Sequence, residues 1–404
     1  MGKVNRKDSK GRVLRTGEYE RANHTYEYRY SIKGVRYSEY AETLNELRKK
    51  EEHIKKKSTN GIDAVLSSQI TVCDLAQRYL NAKKKLAPGT RYNYQRTLNN
   101  YLQNSEFGKM KAENVKKTDI IAFYDSFVDK NGRKKSGSIM MVQRLLQPSF
   151  EMGIDDNIIL KNPCKGVFRV YPLEFKTKHA FTEEEEETFL EFMKNDRYYC
   201  SYYHMIKIML GTGLRFGETI GLTWKDVDLK KKTIDINHQL LYKNFDHTHM
   251  KFSAGEPKSK SGYRVLYMSN DVYESFKILK KRKMVENRPI VTIDGYRDFV
   301  FTTTNGTPIQ PNSFDRMLKK CASLCNEYNL SMDNDIIIPN ISAHVLRHTA
   351  CTRMAESGID PKTLQYIMGH SSISITLGIY DHVNKNRVKN AFEKMDTMRE
   401  QQAL

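Results

Sequence analysis

The sequence predicts an α+β, multidomain chain: a small β-rich N-terminal module, an all-α middle block, and a mainly α third block with a small antiparallel sheet. Three observations predict it. Of 404 residues, 39% are hydrophobic, enough for about two or three packed cores. Apolar spacing alternates near the N-terminus, changes to three- and four-residue steps from residue 68, and mixes the two beyond residue 175. Finally, 67 Lys and Arg against 48 Asp and Glu leave a net charge of +19, a field that attracts polyanions.

Residues 1–62 read as one unit. HTYEYRYSIKGVRYSEYAE alternates, with Tyr26, Tyr28 and Tyr30 on one face and Glu27 and Arg29 on the other, and Gly34 permits the turn of a hairpin. The charged run TLNELRKKEEHIKKK then predicts a helix that stops near Asn60 and Gly61. Residues 68–170 carry helical spacing in LAQRYLNAKKK, GTRYNYQRTLNNYLQNS, TDIIAFYDSFVDK and SGSIMMVQRLLQPSFEMGID, with Thr90, Thr118 and Ser136 or Ser138 as expected N-caps. PLEFKTKHA is a linker.

The third unit, 175–404, opens with FTEEEEETFLEFMKN, whose glutamates suit the first turn of a helix better than a binding site. An apolar helix, YYHMIKIMLGTG, follows. KTIDINHQLLYKN and YRVLYMS read as strands with the basic turn KSKSG between them, and DFVFTTTNGTPI reads as a hairpin turning at Asn305 and Gly306. Helices then run to the end, the last carrying Val388, Ala391, Phe392 and Met395 as an apolar stripe.

Composition excludes several classes. No run of about 18 apolar residues exists, and MGKVNRKDSKGR lacks the apolar core of a signal peptide. Arg6 stands where a myristoylation motif needs Ser or Thr. The six cysteines are scattered, and Cys321 and Cys325 are expected as buried thiols in a reducing compartment. No metal-carboxylate cluster is apparent, and no cofactor is expected.

Four signals in the third unit carry chemistry as a set. TGLRFGE places Arg215 beyond an apolar helix; PKSKSGYR holds Lys258 and Lys260; HVLRH puts His344 and Arg347 three apart on one helix face; MGH ends at His370, with Tyr380 ten residues on. Each alone is weak, because surface arginines are common and the chain has 24 tyrosines.

Together, in this order, they closely resemble the catalytic domain of the tyrosine recombinases, the phage integrase family, across residues 175–385. Met368 replaces a commoner Leu, an apolar exchange without consequence. The middle block resembles the family's core-site-binding domain more loosely, and the N-terminal module looks like the arm-type DNA-binding domain of conjugative-transposon and phage integrases. The resemblance implies Tyr380 as nucleophile, Arg215 and Arg347 as phosphate clamp, Lys258 rather than Lys260 as proton donor, and His344 and His370 as phosphate-positioning and proton-handling groups. Glu218 would brace the Arg215 loop. Guanidinium forks suit the charge that grows on non-bridging oxygens as a phosphodiester is attacked.

The same resemblance implies double-stranded DNA with core-type and arm-type sites as partner, a tetramer on two duplexes, and a cytoplasmic, nucleoid-associated bacterial protein. An excisionase and a host DNA-bending protein enter on resemblance alone. A chromosome-dimer-resolving recombinase, a type IB topoisomerase, an inactive DNA-binding regulator, and a structural nucleoid or RNA-binding protein remain the alternatives. The β-rich module favours integration and excision of a mobile element.

Overall fold

The computed structural model describes residues 6–32, 35–59, 64–175, 179–243, 249–257 and 259–380. Gly34, the Asn60–Gly61 stop, Lys258 and the apolar stripe of the tail lie outside the described residues. The chain divides into two compact units, Met1–Phe175 and Lys176–Leu404.

The first unit opens with an antiparallel sheet of three strands in sequence order: β1 (Glu18–Glu20), β2 (Tyr26–Ile32) and β3 (Val35–Ala41). The alternation of β2 turns Tyr26 and Tyr28 inward against Leu44 and Leu47 of the helix Leu44–Thr59. Glu18 is fully buried and is held by Arg48 at 3.0 Å, so helix and sheet are joined by an ion pair as well as by apolar contact. On the outer face, Tyr19 lies between the guanidinium groups of Arg6 and Arg29, 4.5 and 4.6 Å from its ring centre.

The all-α block packs Val72–Ala82, Pro88–Thr97, Lys117–Asp125 and Ser136–Asp155 around Leu75, Leu80, Leu102, Ile120, Tyr124, Ile139 and Phe150. The expected N-caps are corrected. The helices start earlier, at caps Ala87, Lys116 and Lys135, so Thr90, Thr118, Ser136 and Ser138 fall inside them. Pro88 begins its helix because a first-turn residue needs no N–H donor there. Thr71, with Asp74 reaching back, forms a capping box.

In the second unit, Thr182 caps Glu183–Asn195, whose Phe189 and Met193 are buried. The glutamate run is therefore a helix start. The apolar helix spans Cys200–Thr212 and ends at Gly213 with φ +65°. The sheet departs from expectation. KTIDINHQLLYKN is two strands, β5 (Thr233–Ile236) and β6 (Gln239–Lys243), because Asn237 and His238 leave the ladder. Asn237 Nδ2 donates to Asp226 at 2.9 Å, and His238 Nε2 pairs with the Gly221 carbonyl at 2.7 Å.

Strand β4 (Val227–Asp228) and β8 (Arg264–Tyr267) flank β5, while β6 pairs with β7 (Lys251–Gly255), a strand not foreseen. The lysine segment thus joins strands of two different sheets and is not the turn of a hairpin. Asn305–Gly306 likewise closes only a single bridge, Thr302 to Pro308, since Pro308 offers no N–H to extend it. The hairpin lies just before, β9 (Thr292–Ile293) and β10 (Tyr296–Arg297), turning through Asp294 and Gly295, both at positive φ. Helices Asn270–Val285, Pro311–Ser331, Ala343–Glu356, Pro361–Met368 and Ile373–Tyr380 complete the described unit. Cys321 and Cys325 are buried free thiols one turn apart. No described helix is long and apolar enough to cross a membrane.

Candidate functional site

Arg215 sits at the N-cap of the short helix Phe216–Gly221. Its Nη1 donates to Glu218 Oε1 at 2.7 Å, its backbone N–H to Glu218 Oε2 at 3.0 Å, and its Nη2 to the Gly369 carbonyl at 2.8 Å. Its side chain keeps 33% exposure.

Arg347 approaches from the helix Ala343–Glu356 and is buried. It donates to the carbonyls of Gly213, at 2.6 Å, and Met368. These acceptors come from helix ends. Gly213 and Gly369 both adopt left-handed φ, which terminates each helix and turns its last carbonyls toward the arginines. A side chain at Gly213 would be strained by φ +65°, and its Cβ, 2.6 Å from Met368 Sδ, would make the Met368 side chain shift.

Glu218 is buried and also pairs with Arg264 Nη2 at 2.9 Å. Burial opposes its ionisation, but Arg264 and Arg215 outweigh that and hold it below the usual carboxylate range. Arg264 was not singled out in the sequence. The available signal was its place in YRVLYM on the same strand face as buried Leu266; a cation there needs a buried carboxylate.

His370 is buried beside these cations, its Nδ1 2.9 Å from Thr376 Oγ1. Burial, then Arg347, Arg215 and Arg264, push its pKa down to about 4. Burial and the neighbouring Arg215 likewise depress the pKa of Arg347. Burial is the larger cause of both shifts, and the arginines packed around one carboxylate, Glu218, add to it; a bound anion would offset that second contribution.

The opening is a cavity of about 310 Å³ lined by Arg215, Phe216, Asp315, Ser342, His344 and Arg347 among others. His344 is exposed on its wall. Asp315, also missed in the sequence, accepts from the Ala343 amide at 3.0 Å and so fixes the start of the His344–Arg347 helix. Lys260 is exposed in the turn Lys260–Gly262. Tyr380 ends its helix half-buried against Cys351, Ala355, Leu364 and Met368, and its hydroxyl donates to the Ile359 carbonyl. The structure therefore brings Arg215, Arg347 and His344 to one opening, with His370 against the arginines.

A mainly helical unit that turns two arginines and a histidine toward an anion-sized opening can grip a phosphate. Comparison with known proteins makes this specific. Residues 179–387 match the model of the phage integrase family, and residues 1–58 match that of the DNA binding domain of Tn916 integrase. The chain is 32% identical over 415 residues to the transposase from transposon Tn916 of Enterococcus faecalis, covering 99% of this chain and 98% of that protein. It is 27% identical to a tyrosine recombinase XerC-like protein of Caldanaerobacter subterraneus, covering 94% and 96%. Among solved structures, a Tn1549 transposon integrase in complex with circular intermediate DNA is 31% identical, with a TM-score of 0.71, over 81% of this chain and all of that one. The lambda integrase tetramer on a Holliday junction shares the fold at 15% identity and a TM-score of 0.54. The chain belongs to the phage integrase family. It is a tyrosine recombinase, a site-specific enzyme of DNA strand breakage and rejoining.

Proposed function

We propose that this recombinase integrates and excises a conjugative transposon, with Tyr380 as its nucleophile. The Tyr380 oxygen attacks the scissile phosphorus, the P–O5′ bond breaks, and a 3′-phosphotyrosine forms that conserves the bond energy for rejoining. Arg215 and Arg347 grip the non-bridging oxygens. Lys258 gives the departing 5′ oxygen its proton, while His344 and His370 position the phosphate and take up the phenol proton. His370 suits that task because it is neutral at neutral pH.

Residues 1–62 would bind arm-type sites, 68–170 core-type sites, and 175–404 would carry catalysis, in a tetramer on two duplexes. The outer sheet face with Tyr19, Arg6 and Arg29 supports the first assignment. An excisionase and a host bending protein complete the partners proposed.

One observation carries the reading: Arg215 and Arg347, 132 positions apart in the sequence, line one cavity together with His344. The test is a covalent-adduct assay on DNA from the flanks of the gene, in EDTA, quenched with detergent and mapped by mass spectrometry. A phosphotyrosine at 380 is expected; an adduct at another tyrosine overturns the assignment.

A further inference from the structure

Arg264 is a guanidinium with no solvent exposure, inside a unit whose function is to meet DNA at its surface. Its donors serve three separate pieces of chain. Nη1 donates to the Gly262 carbonyl at 2.9 Å, within the lysine segment. Nη2 donates to Glu218 Oε2 at 2.9 Å, and Glu218 Oε1 in turn accepts from Arg215 at 2.7 Å. Nε donates to the Ile367 carbonyl at 2.7 Å, at the end of the helix that leads into His370. The packing leaves little slack. A Cβ on Gly369 would lie 3.0 Å from both Arg264 Nη1 and the Ser261 carbonyl.

The lysine segment has a particular need for such an anchor. It joins β7 and β8, which lie in different sheets, so ladder hydrogen bonds between its flanking strands do not fix it. A proton donor must sit within hydrogen-bond reach of the leaving oxygen while the arginines hold the same phosphate.

We propose that Arg264 is a positioning residue for DNA cleavage, locking the lysine segment to the Glu218–Arg215 clamp so that proton donor and phosphate grip address one phosphodiester. This rests on the reading that a lysine of PKSKSG protonates the 5′ oxygen. In that step the Tyr380 oxygen bonds to phosphorus and the P–O5′ electron pair goes to the 5′ oxygen. That oxygen takes a proton from the ammonium group, leaving an amine, and the phenol proton passes to a histidine.

The test compares cleavage of one nicked-site duplex with an ordinary phosphodiester and with a 5′-bridging phosphorothiolate, whose sulfur leaves as thiolate without a proton. Arg264→Lys keeps a charge opposite Glu218 but cannot reproduce the planar fork, and Arg264→Gln removes the charge. Each is expected to cleave the ordinary duplex about a hundredfold more slowly than wild type, yet the phosphorothiolate within about fivefold of it. Equal loss on both substrates would make Arg264 a support of the clamp or the fold alone, and no loss would remove its role; either overturns the proposal. If the Gln variant does not fold, by circular dichroism, the Lys variant decides. Wild type, Lys258→Ala and Lys260→Ala run alongside. A wild type without adduct, or two lysine variants without rescue, would overturn the underlying reading and the Arg264 proposal with it, whereas rescue of a lysine variant without rescue of the Arg264 variants overturns the Arg264 proposal alone.

Discussion

Arg347 donates to the carbonyl of Gly213, 134 residues before it in the chain, at 2.6 Å. A buried cation is thus held by the left-handed end of a different helix. Replacing Gly213 with Ala forces a side chain into φ +65° and against Met368. Gly213→Ala is expected to cost about 1–3 kcal/mol in urea unfolding. It should also slow cleavage at least about tenfold at saturating DNA, because the Arg347 acceptor shifts. Unchanged cleavage would show that Arg347 does not depend on this carbonyl.

Glu218 shares its two oxygens between Arg215 and Arg264. Glu218→Gln leaves two guanidinium groups facing one neutral amide. The expected loss of stability is about 3 kcal/mol, read from denaturant midpoints, because breaking a buried pair strands its partner charge. A loss below about 1 kcal/mol would mean that water or another carboxylate replaces it.

Tyr380→Phe removes the hydroxyl proposed as nucleophile and one hydrogen bond, to Ile359. Specific DNA binding is expected within about twofold of wild type, and folding stability within about 1 kcal/mol. The detergent-resistant adduct should be abolished, as read on a denaturing gel.

His370 sets a pH dependence. Its folded pKa lies near 4 against an ordinary 6.5. Between those values the unfolded chain binds a proton that the folded chain refuses. Stability is therefore expected to fall as pH drops from about 6.5 to about 4, and to be insensitive to this group above that window. His204, also pushed down to about 4 by burial, contributes with the same sign. The difference between wild type and His370→Gln isolates the site. Parallel stability profiles from pH 7 to 4 would contradict the shift.

Deleting residues 1–62 is expected to leave cleavage of a core-site duplex within about threefold while abolishing integration between plasmids. The salt slope of binding to DNA carrying both site types should also become shallower, since phosphate contacts are lost. Equal integration by the truncated chain would remove the arm-binding role.

The proposed catalytic set could be picked from the sequence because chemistry fixes residue type: a phosphate clamp calls for arginines, and local helix spacing puts His344 and Arg347 on one face. Helices such as Ser136–Asp155 and Cys200–Thr212 were legible for the same local reason, their apolar periodicity. What only tertiary structure decided was non-local. β5 pairs with β8 and β6 with β7 because Asn237 and His238 spend their side chains on Asp226 and Gly221, and no periodicity encodes that choice. Arg264 looks like any strand arginine until Glu218, 46 positions away, is placed beside it. Side-chain chemistry is written residue by residue, whereas a buried charge acquires its meaning from the partner that folding brings to it.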